Sequence, residues 1–296
     1  MVLAVDNDAQ ALAIHTLNHP ETTHLELTLG PDTEETLVAA IRAALPSGGV
    51  WHLHGSPPCT TVSTTAFVNA HRSHDDVRER QSSIGFALVD WFFALVRRLQ
   101  PSSWSFEQVR HKEVLRRLQD WRRQAPSVCD FDVVEMCRYG VPQTRTRVLA
   151  GSPWLMHRLR FEPSIRVAQP VSVRDALPNL DPSIVYIREL YDRPADQSAT
   201  ETVGDVVVNP LAEKKCRPLD MPSYTVTTNV WSVAWWNARF ETVGRPSVAE
   251  YLALQTFPTD YQFPEALSHR ARVKGIGNAY PCIVARKLMS HYRLPQ

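Results

Sequence analysis

No two of the five cysteines (Cys59, Cys129, Cys137, Cys216 and Cys282) form a Cys-x-x-Cys pair, and none joins a histidine at zinc spacing. That excludes a cysteine-held metal centre or a paired redox site, and the odd, scattered set fits a reducing, intracellular setting. No apolar run is long enough to span a membrane, and no signal peptide opens the chain. Lys and Arg number 32 against 31 Asp and Glu, a formal net charge of +1. There is thus no global basic footprint, and any nucleic-acid surface must be local. Internal repeats and low-complexity tracts are also missing. What remains is ordinary globular composition, 44% hydrophobic and 21% charged. A chain of 296 residues accommodates one large domain, or a large one with a small one.

The 22 prolines concentrate in 153–264, where glycine is scarce. That region reads as irregular and loop-rich. The first 150 residues alternate strand and helix instead. Strands are expected at Val2–Val5, His24–Thr28, Val50–His54, Ser103–Phe106 and Phe131–Met136. Helices are expected at Ala9–Leu17, Glu35–Ala44, 82–99 and 111–123. The last is basic and reads as a solvated amphipathic helix in preference to a phosphate-binding one. Gln143–Arg147 alternates polar residues and reads as a strand with Gln143, Arg145 and Arg147 on one face. Such alternation implies a mostly parallel sheet covered by helices, with functional residues at the carboxyl ends of strands. Trp231, Trp235 and Trp236 read first as a small hydrophobic core and second as base-stacking rings.

Three features fall at strand ends. Pro57-Pro58 holds Cys59 in a stiff extended loop after the Val50–His54 strand, which is how a nucleophilic thiol is presented. Glu107 ends the Ser103–Phe106 strand. Asp6 ends the first strand, where it either accepts from ribose hydroxyls or, like Asp8, caps the next helix.

In order along the chain, these segments resemble the motifs of the carbon-5 cytosine methyltransferase family. Gly55-Ser56-Pro57-Pro58-Cys59 with Ser63 resembles the nucleophile motif, Phe106-Glu107-Gln108-Val109 the Glu-Asn-Val motif, and Gln143-Thr144-Arg145-Thr146-Arg147 the Gln-x-Arg-x-Arg motif. Arg245–Glu250 with Leu254–Pro258 resembles the segment after target recognition, and Gly277-Asn278-Ala279-Tyr280-Pro281 the final motif. The resemblance implies a doubly wound, Rossmann-like α/β methyltransferase sheet with a small irregular target-recognition domain. It places catalytic segments in 1–152, target recognition in 153–240 and a return to the catalytic domain in 241–296. It implies Cys59 as nucleophile, Glu107 as the acid at the base, and Arg145 and Arg147 at the cytosine carbonyl or a flanking phosphate. S-adenosylmethionine is the implied cofactor, held by Asp6, Glu26, Pro58, Asn278 and Ala279. Ser63 and Gln143 fall at the nucleic acid, double-stranded DNA with a flipped cytosine.

The chain departs from this pattern. It begins at the family's second motif, and no Phe-x-Gly-x-Gly strand and turn is present. The missing strand is expected centrally in the sheet, so a second polypeptide that supplies it is one implied partner. Gln108 replaces the usual Asn, Thr60 the frequent Gln, and Tyr280 the usual Val. A tRNA-directed enzyme is the alternative within the family, and a non-catalytic member or single subunit of a two-chain enzyme is the alternative outside it.

Overall fold

The computed structural model describes residues 1–45, 48–58, 75–189, 201–203, 206–208, 216–228 and 233–290. The chain divides into two compact units. One holds Met1–Val134 and Thr146–Glu162; the other holds Glu135–Arg145 and Pro163–Ser290. No described helix is long and apolar enough to cross a membrane.

In the first unit, β1 (Leu3–Asp6) pairs in parallel with β2 (Thr23–Glu26), placing Asp6 opposite Glu26. Between them runs α1 (Ala9–Asn18). Asp8 caps it, accepting from the N–H groups of Gln10 and Ala11 at 2.9 and 3.2 Å. Asp6 instead accepts from the Asp8 N–H at 2.8 Å. After α2 (Glu34–Ala44) comes a second sheet in the order β3-β4-β6-β5. Its strands are β3 (His52–Gly55), β4 (Ser103–Val109), β5 (Asp130–Glu135) and β6 (Thr146–Gly151).

Two expectations need correction. The sheet is mixed: β3 and β4 are parallel, but β6 runs antiparallel to β4, from Ser105↔Gly151 to Val109↔Arg147. And Gln143 and Arg145 are not strand residues. β6 starts only at Thr146, and Gln143 makes an isolated bridge to Ser223 within the second unit. Alternation of polar residues matched the strand period, yet the backbone bonds of this stretch go elsewhere: Thr144 N–H donates to the Ser223 carbonyl at 2.9 Å.

The apolar face of β3 and β4 lies against α3 (Asp75–Leu99) and α4 (Lys112–Gln124). Trp104 and Phe106 of β4 bury against Phe92, Phe93 and Val96 of α3 and Leu118 and Trp121 of α4. The Phe93 and Trp121 rings stack 4.1 Å apart. Gly55 has no side chain because the Phe92 ring occupies the space a Cβ would take. On α4, Arg116, Arg117, Arg122 and Arg123 all pair with carboxylates of Asp90, Glu113, Asp120 or Asp130. These are surface pairs of an amphipathic helix. The unit also contains α5 (Pro153–Phe161).

The second unit carries an antiparallel sheet, β10-β7-β11-β12, where β7 is Tyr186–Glu189, β10 Cys216–Pro218, β11 Val233–Trp236 and β12 Thr242–Gly244. A short hairpin pairs β8 (Glu201–Val203) with β9 (Val206–Val208). The helices are α6 (Val173–Ala176), α7 (Val248–Leu254), α8 (His269–Asn278) and α9 (Cys282–Met289). Trp235 joins the core with Val233, Tyr251 and Ile276, while Trp236 is buried on the other sheet face beneath the Arg188 guanidinium, 4.7 Å from its ring centre. Both tryptophans are core residues; Trp231 lies outside the described residues.

Gly277, inside α8, lets that helix press on the backbone at Thr227 and Thr228. An added Cβ would overlap the Thr227 carbonyl and stand 2.7 Å from the Thr228 nitrogen. Gly→Ala inside a helix ordinarily stabilises by up to about 1 kcal/mol. Here Gly277→Ala is expected to destabilise by about 2–3 kcal/mol, because backbone cannot rotate aside. Urea denaturation of the two chains checks the sign.

Candidate active site

The second face of β3 and β4 is polar. The pleat puts His52, His54 and, beyond the strand end, Ser56 on that face of β3, and Ser103, Ser105 and Glu107 on that of β4. Register sets them as cross-strand rungs. His52 Nδ1 lies 2.6 Å from Ser103 Oγ, His52 Nε2 lies 2.8 Å from Ser105 Oγ, and His54 Nδ1 lies 2.8 Å from the same hydroxyl. The last rung is Ser56, whose hydroxyl donates to Glu107 Oε2 at 3.0 Å.

Glu107 is 5% exposed. Burying a carboxylate is costly unless it is paired and hydrogen-bonded. Arg147, diagonally across the β4–β6 pair, brings Nε to 2.9 Å from Glu107 Oε1. Its N–H does not lie along that line, so the contact is an ion pair and Oε1 is left without a hydrogen-bond partner among the described residues. Arg147 Nη1 donates to the Thr146 carbonyl at 2.8 Å, which fixes the guanidinium beside the carboxylate. One carboxylate oxygen is thus occupied by Ser56, and the other keeps capacity for a further donor.

The neighbouring residue ties this strand end to the loop before it. Gln108 Nε2 donates to the Pro57 carbonyl at 2.9 Å, and its Oε1 accepts from the Val109 N–H at 2.7 Å. Pro57 is half-buried and Pro58 exposed. Cys59 and Ser63, which follow, lie outside the described residues.

At the carboxyl ends of β1 and β2, the exposed carboxylates Asp6 and Glu26 stand side by side. Two adjacent acceptors of this kind suit hydroxyl and amine donors, as on a ribose and an adenine.

The remaining residues belong to the second unit. Gln143 is fully buried, and its amide donates to the Leu254 carbonyl at 2.8 Å and to Gln255 Oε1 at 2.6 Å while accepting from the Val226 N–H at 2.8 Å. Arg145, 2% exposed, directs Nη1 to the carbonyls of Val226 and Gly277 at 3.1 and 3.3 Å and Nη2 toward that of Ala279 at 3.5 Å. Gln255 Nε2 also donates to the Ala279 carbonyl, at 2.6 Å. Asn278 is exposed at the end of α8, and Ala279 is half-buried. So Arg147 stands at Glu107, whereas Gln143 and Arg145 hold backbone. Ser56, Gln108 and Gln255 stand inside the motifs, Gln108 as a departure from one, but the sequence assigned none of them a role.

No protein-family model and no curated protein matches the sequence. Solved structures do match its fold. A candidate DNA modification methyltransferase encoded within an E. coli prophage superposes with a TM-score of 0.58 at 18% identity, covering 98% of this chain and 90% of that one. A DNMT2 variant from Spodoptera frugiperda gives 0.55 at 15% identity, over 98% and 91%. The Dnmt2 methyltransferase of S. pombe gives 0.53 at 14%, over 98% and 89%. At these identities the likeness defines the fold, a mixed α/β build shared with methyltransferases.

The His52 ladder makes a testable prediction. Burial, and then repulsion from His54, push the His52 imidazole down from 6.5 to about 4. Burial, His19 and His24 do the same to His15. A depressed folded pKa means that the unfolded chain takes up protons first. The stability is therefore complete above pH 6.5 and is lost as pH falls toward 4. For half-buried His52 the loss is at most roughly 3 kcal/mol. Urea midpoints measured from pH 7 to 4 should fall less steeply in His52→Gln than in the wild type.

Proposed function

We propose that the chain is a cytosine carbon-5 methyltransferase that acts on DNA, with S-adenosylmethionine as methyl donor. One observation carries the reading: the buried Glu107 carboxylate near the end of β4, its Oε1 without a hydrogen bond among the described residues, Arg147 alongside, and the Pro57 loop tied to the same strand end. The fold shared with methyltransferases and the motif order support it.

The chemistry needs these residue types. Carbon 5 of cytosine is a poor nucleophile. Addition of the Cys59 thiolate to carbon 6 pushes the ring electron pair toward carbon 5 and nitrogen 3. Glu107 donates a proton to nitrogen 3 through Oε1, which stabilises the adduct. Arg147 binds the base carbonyl oxygen and keeps Glu107 oriented. Arg145, which the motif pairs with Arg147, holds the carbonyls of Val226 and Gly277 within the second unit. The cofactor supplies the electrophilic methyl group. Loss of the carbon-5 proton, return of the nitrogen-3 proton to Glu107 and expulsion of the Cys59 thiolate then restore the ring.

Asp6 and Glu26 fit the donors of the cofactor's ribose and adenine, and Pro58, Asn278 and Ala279 are assigned to it by motif. Ser63 and Gln143 are assigned to the nucleic-acid side, and 153–240 to target recognition. A Phe-x-Gly-x-Gly strand and turn, whether carried on this protein or on a second polypeptide, is the proposed completion of the cofactor site. Duplex DNA must give up the target base from its stack.

Tritiated methyl transfer to DNA and to tRNA, with and without a chain carrying that segment, tests the reading. Transfer to DNA supports it; transfer to tRNA alone moves the activity to RNA; no transfer under any condition defeats it. DNA containing 5-fluorocytosine should trap a covalent adduct on the wild type and none on Cys59→Ser. Glu107→Gln should lower turnover by about 10²–10⁴-fold with DNA binding little changed. Turnover within about twofold of wild type would show that Glu107 is structural.

A further inference from the structure

The Ser56 hydroxyl belongs to the loop side of the site and has no part in the reaction sequence above. Two contacts define it. Oγ lies 3.0 Å from Glu107 Oε2 and 3.5 Å from the Glu107 carbonyl, so the strong bond is to the carboxylate. Ser56 itself is exposed, so the bond is not needed to satisfy a buried hydroxyl. Its partner is buried, and Ser56 is the only hydrogen-bond donor the described residues offer to Glu107's side-chain oxygens.

We propose that Ser56 is a positioning residue for the acid: by occupying Oε2 it leaves Oε1 as the oxygen that meets the base. The inference rests on the reading of Glu107 as that acid. A hydroxyl suits the task because the carboxyl must change protonation state each turnover. Ser56 donates to Oε2 when the group is a carboxylate. It donates equally when Oε1 carries the proton and Oε2 is the carbonyl-type oxygen. The bond therefore survives both states, and the proton is confined to one oxygen. The His54–Ser105 and His52–Ser103 rungs behind it keep β3 and β4 from slipping. Gln108 fixes the next residue, Pro57, so the hydroxyl cannot swing away with the loop.

Ser56→Ala in the full chain should lower kcat by about 10–100-fold, the usual effect of removing a hydrogen bond to a charged group, with the KM for DNA within about twofold. Ser56→Thr should restore kcat to within about threefold, since the exposed position accepts a methyl group. Wild-type turnover in Ser56→Ala, or a loss that Thr does not recover, overturns the proposal. A second measurement is independent of activity. In protein labelled with ¹³C at glutamate carboxyls, the Glu107 resonance, identified by its absence in Glu107→Gln, should move in Ser56→Ala and return in Ser56→Thr. An unmoved resonance refutes the positioning contact whatever the reaction. A resonance that behaves as expected in a chain that transfers no methyl group defeats the proposed function and leaves the contact standing.

Discussion

The parallel pairing of β3 with β4 divides this molecule's first unit into an apolar side and a chemical side. Side chains alternate along a strand, so a single register decides both. With Leu53 opposite Trp104 and Gly55 opposite Phe106, the apolar set meets α3 and α4. The same register puts His54 opposite Ser105 and carries Ser56 to Glu107. A slip of β3 by one residue would turn its histidines toward Phe92, Phe93 and Trp121 and turn Leu53 out. The hydrophobic core thus fixes the geometry of the polar face.

Glu107 shows the cost of that arrangement. A carboxylate buried near the end of a strand loses several kcal/mol of hydration, and one ion pair rarely offsets it fully. The structure supplies a charge partner at one oxygen and a hydroxyl at the other, and among the described residues Oε1 has no hydrogen bond. A purely structural carboxylate would be expected to fill that capacity, because an unmet buried acceptor costs about 1–3 kcal/mol.

Periodicity revealed the strand and helix order of the first 150 residues well, because Leu53, Trp104, Phe106 and the α3 stripe repeat at unambiguous spacings. It also located Glu107 at a strand end. It failed at Gln143–Arg147. There the alternation of Gln143, Arg145 and Arg147 matched a strand, but Gln143 and Arg145 spend their side chains on the carbonyls of Leu254, Val226 and Gly277, more than 80 residues away. No local pattern encodes such long-range acceptors. Direction was equally hidden: β6 reads the same whether parallel or antiparallel to β4, and only its pairing distinguishes the two. The capping of α1 by Asp8 and not Asp6 was open for a similar reason, since both carboxylates are within reach of the helix start.

Gln108 illustrates how a departure from a motif can be read physically. Its amide spans two tasks, accepting from its own neighbour's N–H at Val109 and donating to the Pro57 carbonyl on the adjacent strand's exit. An Asn is one methylene shorter. With the carbonyl end still held near Val109, its nitrogen would fall roughly a C–C bond length short, ~1.5 Å, and beyond hydrogen-bond range of Pro57. The Pro57-Pro58 pair makes its loop stiff, so the carbonyl cannot move in to meet a shorter partner. The amide and the rigid loop together tether the residue before Pro58 to the strand that carries Glu107.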